Sequence, residues 1–177
     1  TGGTMPYTIA WSDGVNGIED RTNLPAGVYI VNVTDGCGAQ VSASATITEP
    51  GALTATTVAT NVDCFGANNG TVDVTVTGGT MPYQYNWGGG ITSEDRVNLA
   101  PGTYTVIITD ANGCSITKSV TINQPQILAI TLNPTNVSCF GAANGSISST
   151  VSGGNGGKTY LWNTGATTPN ISNLSGM

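Results

Sequence analysis

Thr71-Val72-Asp73-Val74-Thr75-Val76-Thr77 alternates apolar and polar residues at every position. A strand turns successive side chains to opposite faces, so Val72, Val74 and Val76 share one face and Thr71, Asp73 and Thr75 the other. That is the signature of a half-buried strand. Working outward, Asn68-Asn69-Gly70 is a turn signal before it, and Leu53 to Ala59 reads as an earlier strand. Gly78-Gly79 ends the alternating run, and Tyr83 to Trp87 is the next strand. Residues 91–99 contain at least one short strand ending at Leu99. Tyr104, Val106 and Ile108 line the core face of another, Asn112-Gly113 turns the chain, and Ile116, Val120 and Ile122 line the last. No stretch carries the helical period. Six or seven short strands in about 75 residues predict a small β-sandwich.

The unit is repeated. Thr1-Gly2-Gly3-Thr4-Met5-Pro6-Tyr7 returns as Thr77-Gly78-Gly79-Thr80-Met81-Pro82-Tyr83, and Trp11 returns as Trp87 and Trp162. Glu19-Asp20-Arg21 returns as Glu94-Asp95-Arg96. Cys64-Phe65-Gly66-Ala67 returns as Cys139-Phe140-Gly141-Ala142, 75 residues later. A fixed period of this length marks tandem units that are each one structural module. Glu49-Pro50 and Gln124-Pro125 close strand-like runs at equivalent points, and proline there lacks a ladder donor and stiffens a junction. The expected domains are therefore 1–50, lacking its opening strands, 51–125, complete, and 126–177, lacking its closing strands. A chain that opens and stops inside a repeat is expected of an internal window of a longer polypeptide.

Two details sharpen the sandwich to an immunoglobulin-like or fibronectin-III-like type. Trp87 falls on the third strand, where such sandwiches place a core tryptophan. Leu99-Ala100-Pro101-Gly102-Thr103-Tyr104 resembles a tyrosine corner, in which a tyrosine opening a late strand bonds back across the turn. Leu24-Pro25-Ala26-Gly27-Val28-Tyr29 repeats it. The expected core anchors are Trp11, Trp87, Trp162, Tyr29, Tyr104, Leu24 and Leu99.

Composition removes several functions. Net charge is −6, and the four basic residues, Arg21, Arg96, Lys118 and Lys158, are scattered. Binding a phosphate backbone or an anionic lipid surface needs clustered Lys and Arg, so nucleic acid and membrane surfaces are not expected partners. No apolar run approaches the ~20 residues of a spanning helix. There is no histidine, which removes the commonest general base and Ser-His-Asp chemistry. The Glu-Asp-Arg triplets read as exposed loop charge or a local ion pair. No enzyme is expected.

The run Asn61 to Gly70, then Gly78 to Tyr83, Asn98 to Val106 and Thr109 to Cys114, resembles the SprB repeat of very large cell-surface adhesins of gliding Bacteroidetes. The resemblance implies export by the type IX secretion system to the extracellular face of an outer membrane, and a part in adhesion or gliding motility. It implies no catalytic site. The third copy departs from the pattern, with Asn155-Gly156-Gly157-Lys158 in place of the Thr-Met-Pro segment.

Four cysteines occur, Cys37, Cys64, Cys114 and Cys139. Their wide spacing without histidine is no zinc set, and an exported protein favours disulfides. Cys64–Cys114 would close a loop of about 50 residues and stabilise by roughly 4 kcal/mol on the entropy account. In an immunoglobulin-like topology, however, their loops lie at opposite ends of strands about 23 Å long, beyond the ~7 Å Cα limit. With the Cys64–Cys114 pairing, Cys37 and Cys139 would have partners outside the chain. The second arrangement joins the Cys-Phe-Gly loop of one unit to the last hairpin of the next, leaving all four with partners outside the chain, and the third leaves them as free thiols. No cofactor is expected. Calcium is the one cation to weigh, because Asp35, Asp63, Asp73 and Asp110 lie near strand ends, but no Asp-x-Asp-x-Asp run gathers the 6–8 oxygens it takes.

The leading functional reading is a spacer or stalk whose partners are neighbouring repeats of the same polypeptide. The alternatives are a module binding carbohydrate, such as a surface polysaccharide, through Tyr7, Tyr83, Tyr85 or Tyr160, and a self-associating filament subunit. If Trp87 anchors the core, Trp87→Ala lowers unfolding free energy by about 3–5 kcal/mol in a denaturant titration; a loss well under 1 kcal/mol means the core lies elsewhere.

Overall fold

The computed structural model describes residues 2–176; Thr1, which opens the first copy of the heptapeptide, and Met177 lie outside them. The described chain is all-β, with twelve strands in four antiparallel three-stranded sheets. It divides into two compact units, Thr1–Gly51 and Ala52–Met177. The first unit is one sheet of β1 (Thr8–Trp11), β2 (Gly27–Thr34) and β3 (Gln40–Ile47), in the order β1-β2-β3.

The second unit opens with β4 (Thr54–Thr60), β5 (Gly70–Thr77), β6 (Gln84–Asn86), β7 (Arg96–Leu99), β8 (Gly102–Thr109) and β9 (Ser115–Ile122). These make two sheets, β4-β5-β7 and β6-β8-β9. The strands fall where the alternation placed them, and the two sheets close over one core, as the sandwich reading requires. Val72 and Val74 are buried and Val76 half-buried, while Asp73, Thr75 and Thr77 face water. Across from them Val106 and Ile108 have no exposed surface, and Ile122 is 1% exposed. The outer face of β8 and β9 is a hydroxyl ladder: Thr103 Oγ1 lies 3.0 Å from Thr121 Oγ1, and Thr105 Oγ1 2.8 Å from Ser119 Oγ. Paired hydroxyls on a solvated face support the strands while leaving burial to the other face.

The sheets approach closely where β5 starts. A Cβ on Gly70 would stand 2.8 Å from Ile122 Cγ2 and 3.0 Å from the Leu99 carbonyl oxygen. Gly70 is read from the sequence as a turn glycine; in the fold it is a buried strand residue whose missing side chain lets β9 approach. At the same end, β4 and β9 run side by side in one direction. The Val62 N–H donates to the Asn123 carbonyl (3.1 Å), the Asn123 N–H to Asn61 Oδ1 (2.8 Å), and the Gly66 N–H to Gln124 Oε1 (2.9 Å).

The chain continues as β10 (Ala129–Thr135), β11 (Gly145–Ser152) and β12 (Ile171–Leu174), in the order β10-β11-β12. Seventy-five residues on, these are the counterparts of β4, β5 and β7. Likewise β1, β2 and β3 are the counterparts of β6, β8 and β9. The complete sandwich of 51–125 is thus flanked in sequence by one sheet of each kind.

Ile108→Ala removes a fully enclosed side chain and costs about 2–5 kcal/mol, read as a fall in the denaturation midpoint. Val58→Ala, at a position 64% exposed, stays within about 0.5 kcal/mol.

Candidate functional site

Asp110 follows β8 and is 4% exposed. Its Oδ1 accepts the N–H groups of Asn112 (3.0 Å) and Cys114 (2.9 Å), closing the β8–β9 hairpin, and its Oδ2 accepts the Thr80 N–H (3.0 Å). One carboxylate therefore ties the last hairpin to the loop after β5. Gly79 must be glycine for this: it has φ 61°, and a Cβ there would stand 2.9 Å from Asp110 Oδ2. Asp35 repeats the knot in the first unit, accepting from Cys37 (3.0 Å), Ala39 (2.8 Å) and Thr4 (3.0 Å). These are two of the carboxylates weighed for calcium, and backbone donors occupy their oxygens. Among the described residues, no three His, Cys, Asp or Glu side chains gather in one place. An aspartate two residues before a turn residue is an Asx-turn signal, so the hairpin half of the knot was readable in Thr109-Asp110-Ala111-Asn112-Gly113; the Thr80 half was not.

The Glu-Asp-Arg triplets do more than carry surface charge. The Arg96 guanidinium carbon lies 5.7 Å from the Trp87 ring centre and 5.4 Å from that of Tyr104. Arg21 stacks likewise on Trp11 (5.4 Å) and Tyr29 (5.7 Å). A cation between two π faces gains from both. Asp95 Oδ1 accepts the Val74 N–H (2.9 Å), and Glu94 Oε1 accepts the Tyr85 hydroxyl (2.8 Å). The triplet therefore staples β7 to β5 and the Trp87 turn to β8. Burial, followed by the bond to Glu94, pushes the Tyr85 hydroxyl above its ordinary range. In the first unit the Arg21 Nη1 also lies 2.6 Å from Asp13 Oδ2 and holds that carboxyl below its ordinary value. The third copy replaces Arg96 with Ile171, but Asn170 still accepts the Ser149 N–H (2.9 Å) as Asp95 does from Val74.

The anchors read from sequence occupy related places. Leu99 is buried, and Trp87 and Tyr104 pack against the core with Tyr83 and Tyr85. Leu24, Trp11, Tyr29 and Trp162 are half-buried. Both tyrosine corners form: the Tyr104 hydroxyl donates to the Ala100 carbonyl and the Tyr29 hydroxyl to the Pro25 carbonyl, each at 2.9 Å. Of the tyrosines weighed for sugar binding, Tyr83 and Tyr85 turn to the core and Tyr7 is 45% exposed. Tyr160 lines a groove of about 500 Å³ with Cys64, Phe65, Leu128, Ile130 and Lys158. That groove is the open inner side of the β10-β11-β12 sheet.

The cysteines require a correction. Cys64 sits in a loop held to Asn123 and Gln124, beyond the end of β9, while Cys114 immediately precedes its start. Eight strand residues, about 25 Å, separate the two ends, so the pairing Cys64–Cys114 does not form; all four cysteines are exposed thiols. The hairpin cysteines are not equivalent either. Measured from the aspartate knot, Cys37 stands at the position of Asn112, and Ala39 at that of Cys114. The Cys37 thiol accordingly contacts Thr4 Oγ1 (3.5 Å) where Asn112 Nδ2 donates to Thr80 Oγ1 (2.9 Å). Beside Cys64, Asn155 Nδ2 of the third copy donates to the Asp63 carbonyl (3.2 Å). The loop after β11 thus meets the Cys-Phe-Gly loop of the preceding copy.

The backbone donors, Thr4 first and then Ala39 and Cys37, hold the Asp35 carboxyl below its ordinary 3.8. A depressed carboxyl contributes stability that is present above the ordinary value and is lost as pH falls through the folded one. Asp35→Asn keeps the shape and removes the charge. It is expected to lower the melting temperature at pH 7 and to flatten the acid-side loss below about pH 4; an unchanged acid limb shows that the knot carries no proton linkage.

No curated protein matches the chain. The family model described as SprB repeat matches residues 56–92 and 131–167. The two matches are 75 residues apart and run from the first strand of a copy through its tryptophan turn in the second copy, and over the corresponding stretch of the third. SprB repeats are structural repeats of cell-surface adhesins rather than an enzyme family. In the second and third copies of its 75-residue period, the chain thus matches the SprB repeat over these two segments.

Proposed function

We propose that these repeats are spacer units of a large adhesin, exported by the type IX route to the outer surface of a Gram-negative cell, where they carry pulling force in adhesion or gliding. The observation that supports this is the placement of β4 beside β9. The first and last strands of the complete unit run in the same direction, so the chain enters at one end of the sandwich and leaves at the other. Tension on the two ends then slides β4 along β9. The Val62–Asn123, Asn123–Asn61 and Gly66–Gln124 bonds, together with the packing beneath them, have to fail together instead of unzipping in turn. Such a task needs no pocket. Tandem modules add their lengths nearly independently, each contributing roughly 30–40 Å by strand length plus loops. Junction prolines Pro50 and Pro125 stiffen the connections. Sugar binding draws no comparable support, because Tyr83 and Tyr85 face inward.

Single-molecule pulling on a tandem array of residues 51–125 tests this. The expected trace is a sawtooth of uniform steps, each lengthening the chain by roughly 230 Å, which is a 75-residue chain at ~3.6 Å per residue less its folded length. Val62→Pro deletes the donor to Asn123 while keeping an apolar side chain, and lowers the peak force. Unfolding without resolvable peaks, or a Val62→Pro array as strong as the parent, refutes the force-bearing role.

A further inference from the structure

The loop after β11 is where the third copy departs from the other two. Asn155 stands in the place of Thr4 and Thr80, and Gly156-Gly157-Lys158 in that of Met81-Pro82-Tyr83. A threonine there serves its own copy: Thr4 Oγ1 lies 3.5 Å from the Cys37 thiol, and Thr80 Oγ1 accepts from Asn112 Nδ2 at 2.9 Å. Asparagine carries an amide donor one bond further from the backbone. Asn155 Nδ2 uses that reach to donate to the Asp63 carbonyl of the second copy (3.2 Å). The rest of the substitution shapes the loop. Gly156 has φ 76°, a left-handed conformation that glycine adopts without a steric penalty, and the Lys158 ammonium donates to its carbonyl (2.8 Å). We propose that Asn155-Gly156-Gly157-Lys158 is a clasp that fastens the third copy to the Cys-Phe-Gly loop of the second and makes the two copies one rigid segment.

The linker between these copies leaves little else to move. Gln124 is held to the second copy, because its Oε1 accepts the Gly66 N–H (2.9 Å) and its neighbour Asn123 bonds to Val62 and Asn61. Gln126 is held to the third, because its carbonyl accepts the Gly154 N–H (2.8 Å). Beside it, a Cβ on Gly153 would overlap the Ile127 carbonyl oxygen, so the linker lies directly on the turn that precedes Asn155. Only Pro125 stands between the two held residues. Its ring fixes its own φ and confines the backbone of Gln124 before it. The copies are left to swing about the Pro125 Cα–C bond and the Gln126 N–Cα bond.

A second tie takes that swing away. The Asn155–Asp63 bond closes a ring that runs from Asp63 through the linker and Gly154 back to Asn155, and rotation about either free bond then requires the clasp to open. The acceptor is itself held still: the Asp63 N–H donates to Asn69 Oδ1 (3.2 Å), and Asn69 Nδ2 donates to Asp63 Oδ2 (2.7 Å). One hydrogen bond between neutral groups favours the closed joint by roughly 2–10-fold, added to the stiffness that Pro125 already supplies. In a tandem array the residues of this one loop would then grade stiffness from joint to joint. The clasp concerns the shape of a joint and not the force it bears, so it stands or falls apart from the spacer reading.

Backbone amide relaxation, measured by NMR on the full chain, is the test. In the parent, amides of β4 to β9 and of β10 to β12 are expected to report one common rotational correlation time. Asn155→Ala removes the clasp at an exposed position. The sheet β10-β11-β12 is then expected to tumble partly free of the sandwich, with a shorter correlation time and lower order parameters than in the parent. Asn155→Asp keeps the size of the side chain and exchanges its donor for an acceptor, and is expected to release the joint in the same way. Strand amide shifts that match the parent show that both parts remain folded in the variants. Two separate correlation times in the parent, or either variant tumbling as the parent does, overturns the proposal.

Discussion

The close approach of Ile122 to Gly70 is the constraint from which the rest of the unit follows. The two sheets can meet at that end because β5 begins with a residue that has no side chain, and the last strand fills the space. With β9 seated there, β4 lies beside it, Val62 and Asn123 can bond, and the chain's entry and exit fall at opposite ends. A side chain at Gly70 would have to displace either Ile122 or the Leu99 carbonyl, and a well-packed core has little room for either. The mechanical reading of the unit thus rests on a steric fact at one residue.

The polar residues serve the same end. Few groups are charged, and several of them have a defined partner. Asp110 binds a hairpin to a distant loop, Asp95 holds β5, Glu94 holds Tyr85, and Arg96 lies between two rings. A buried carboxylate that accepts several backbone N–H groups leaves no donor orphaned. The third copy shows how far the scheme bends: asparagine replaces the Asp95 carboxylate without losing its bond, whereas isoleucine in place of Arg96 abandons the stack.

The apolar faces of the complete unit are buried because two sheets close on one core. Within 51–125 Val72, Val74, Val106, Ile108 and Ile122 are buried, and Val76, Ile116 and Val120 are half-buried against them. Burial in this protein is a property of paired sheets, and no strand can secure it alone.

The sequence determined the all-β class, the period, the strand positions in the complete copy and the aromatic anchors. The reason is local: alternation of two, turn residues and a repeated corner are all written within a few neighbouring positions, and the Tyr104–Ala100 bond spans four residues. What the tertiary structure alone decided involves residues far apart along the chain. The inward packing of Gly70 instead of a turn role, the grip of Asp110 on Thr80, the stacking of Arg96, and the separation of Cys64 from Cys114 by the length of β9 all depend on which strands the fold sets side by side. Spacing along the chain does not contain those distances, because they arise only when two sheets close on one another.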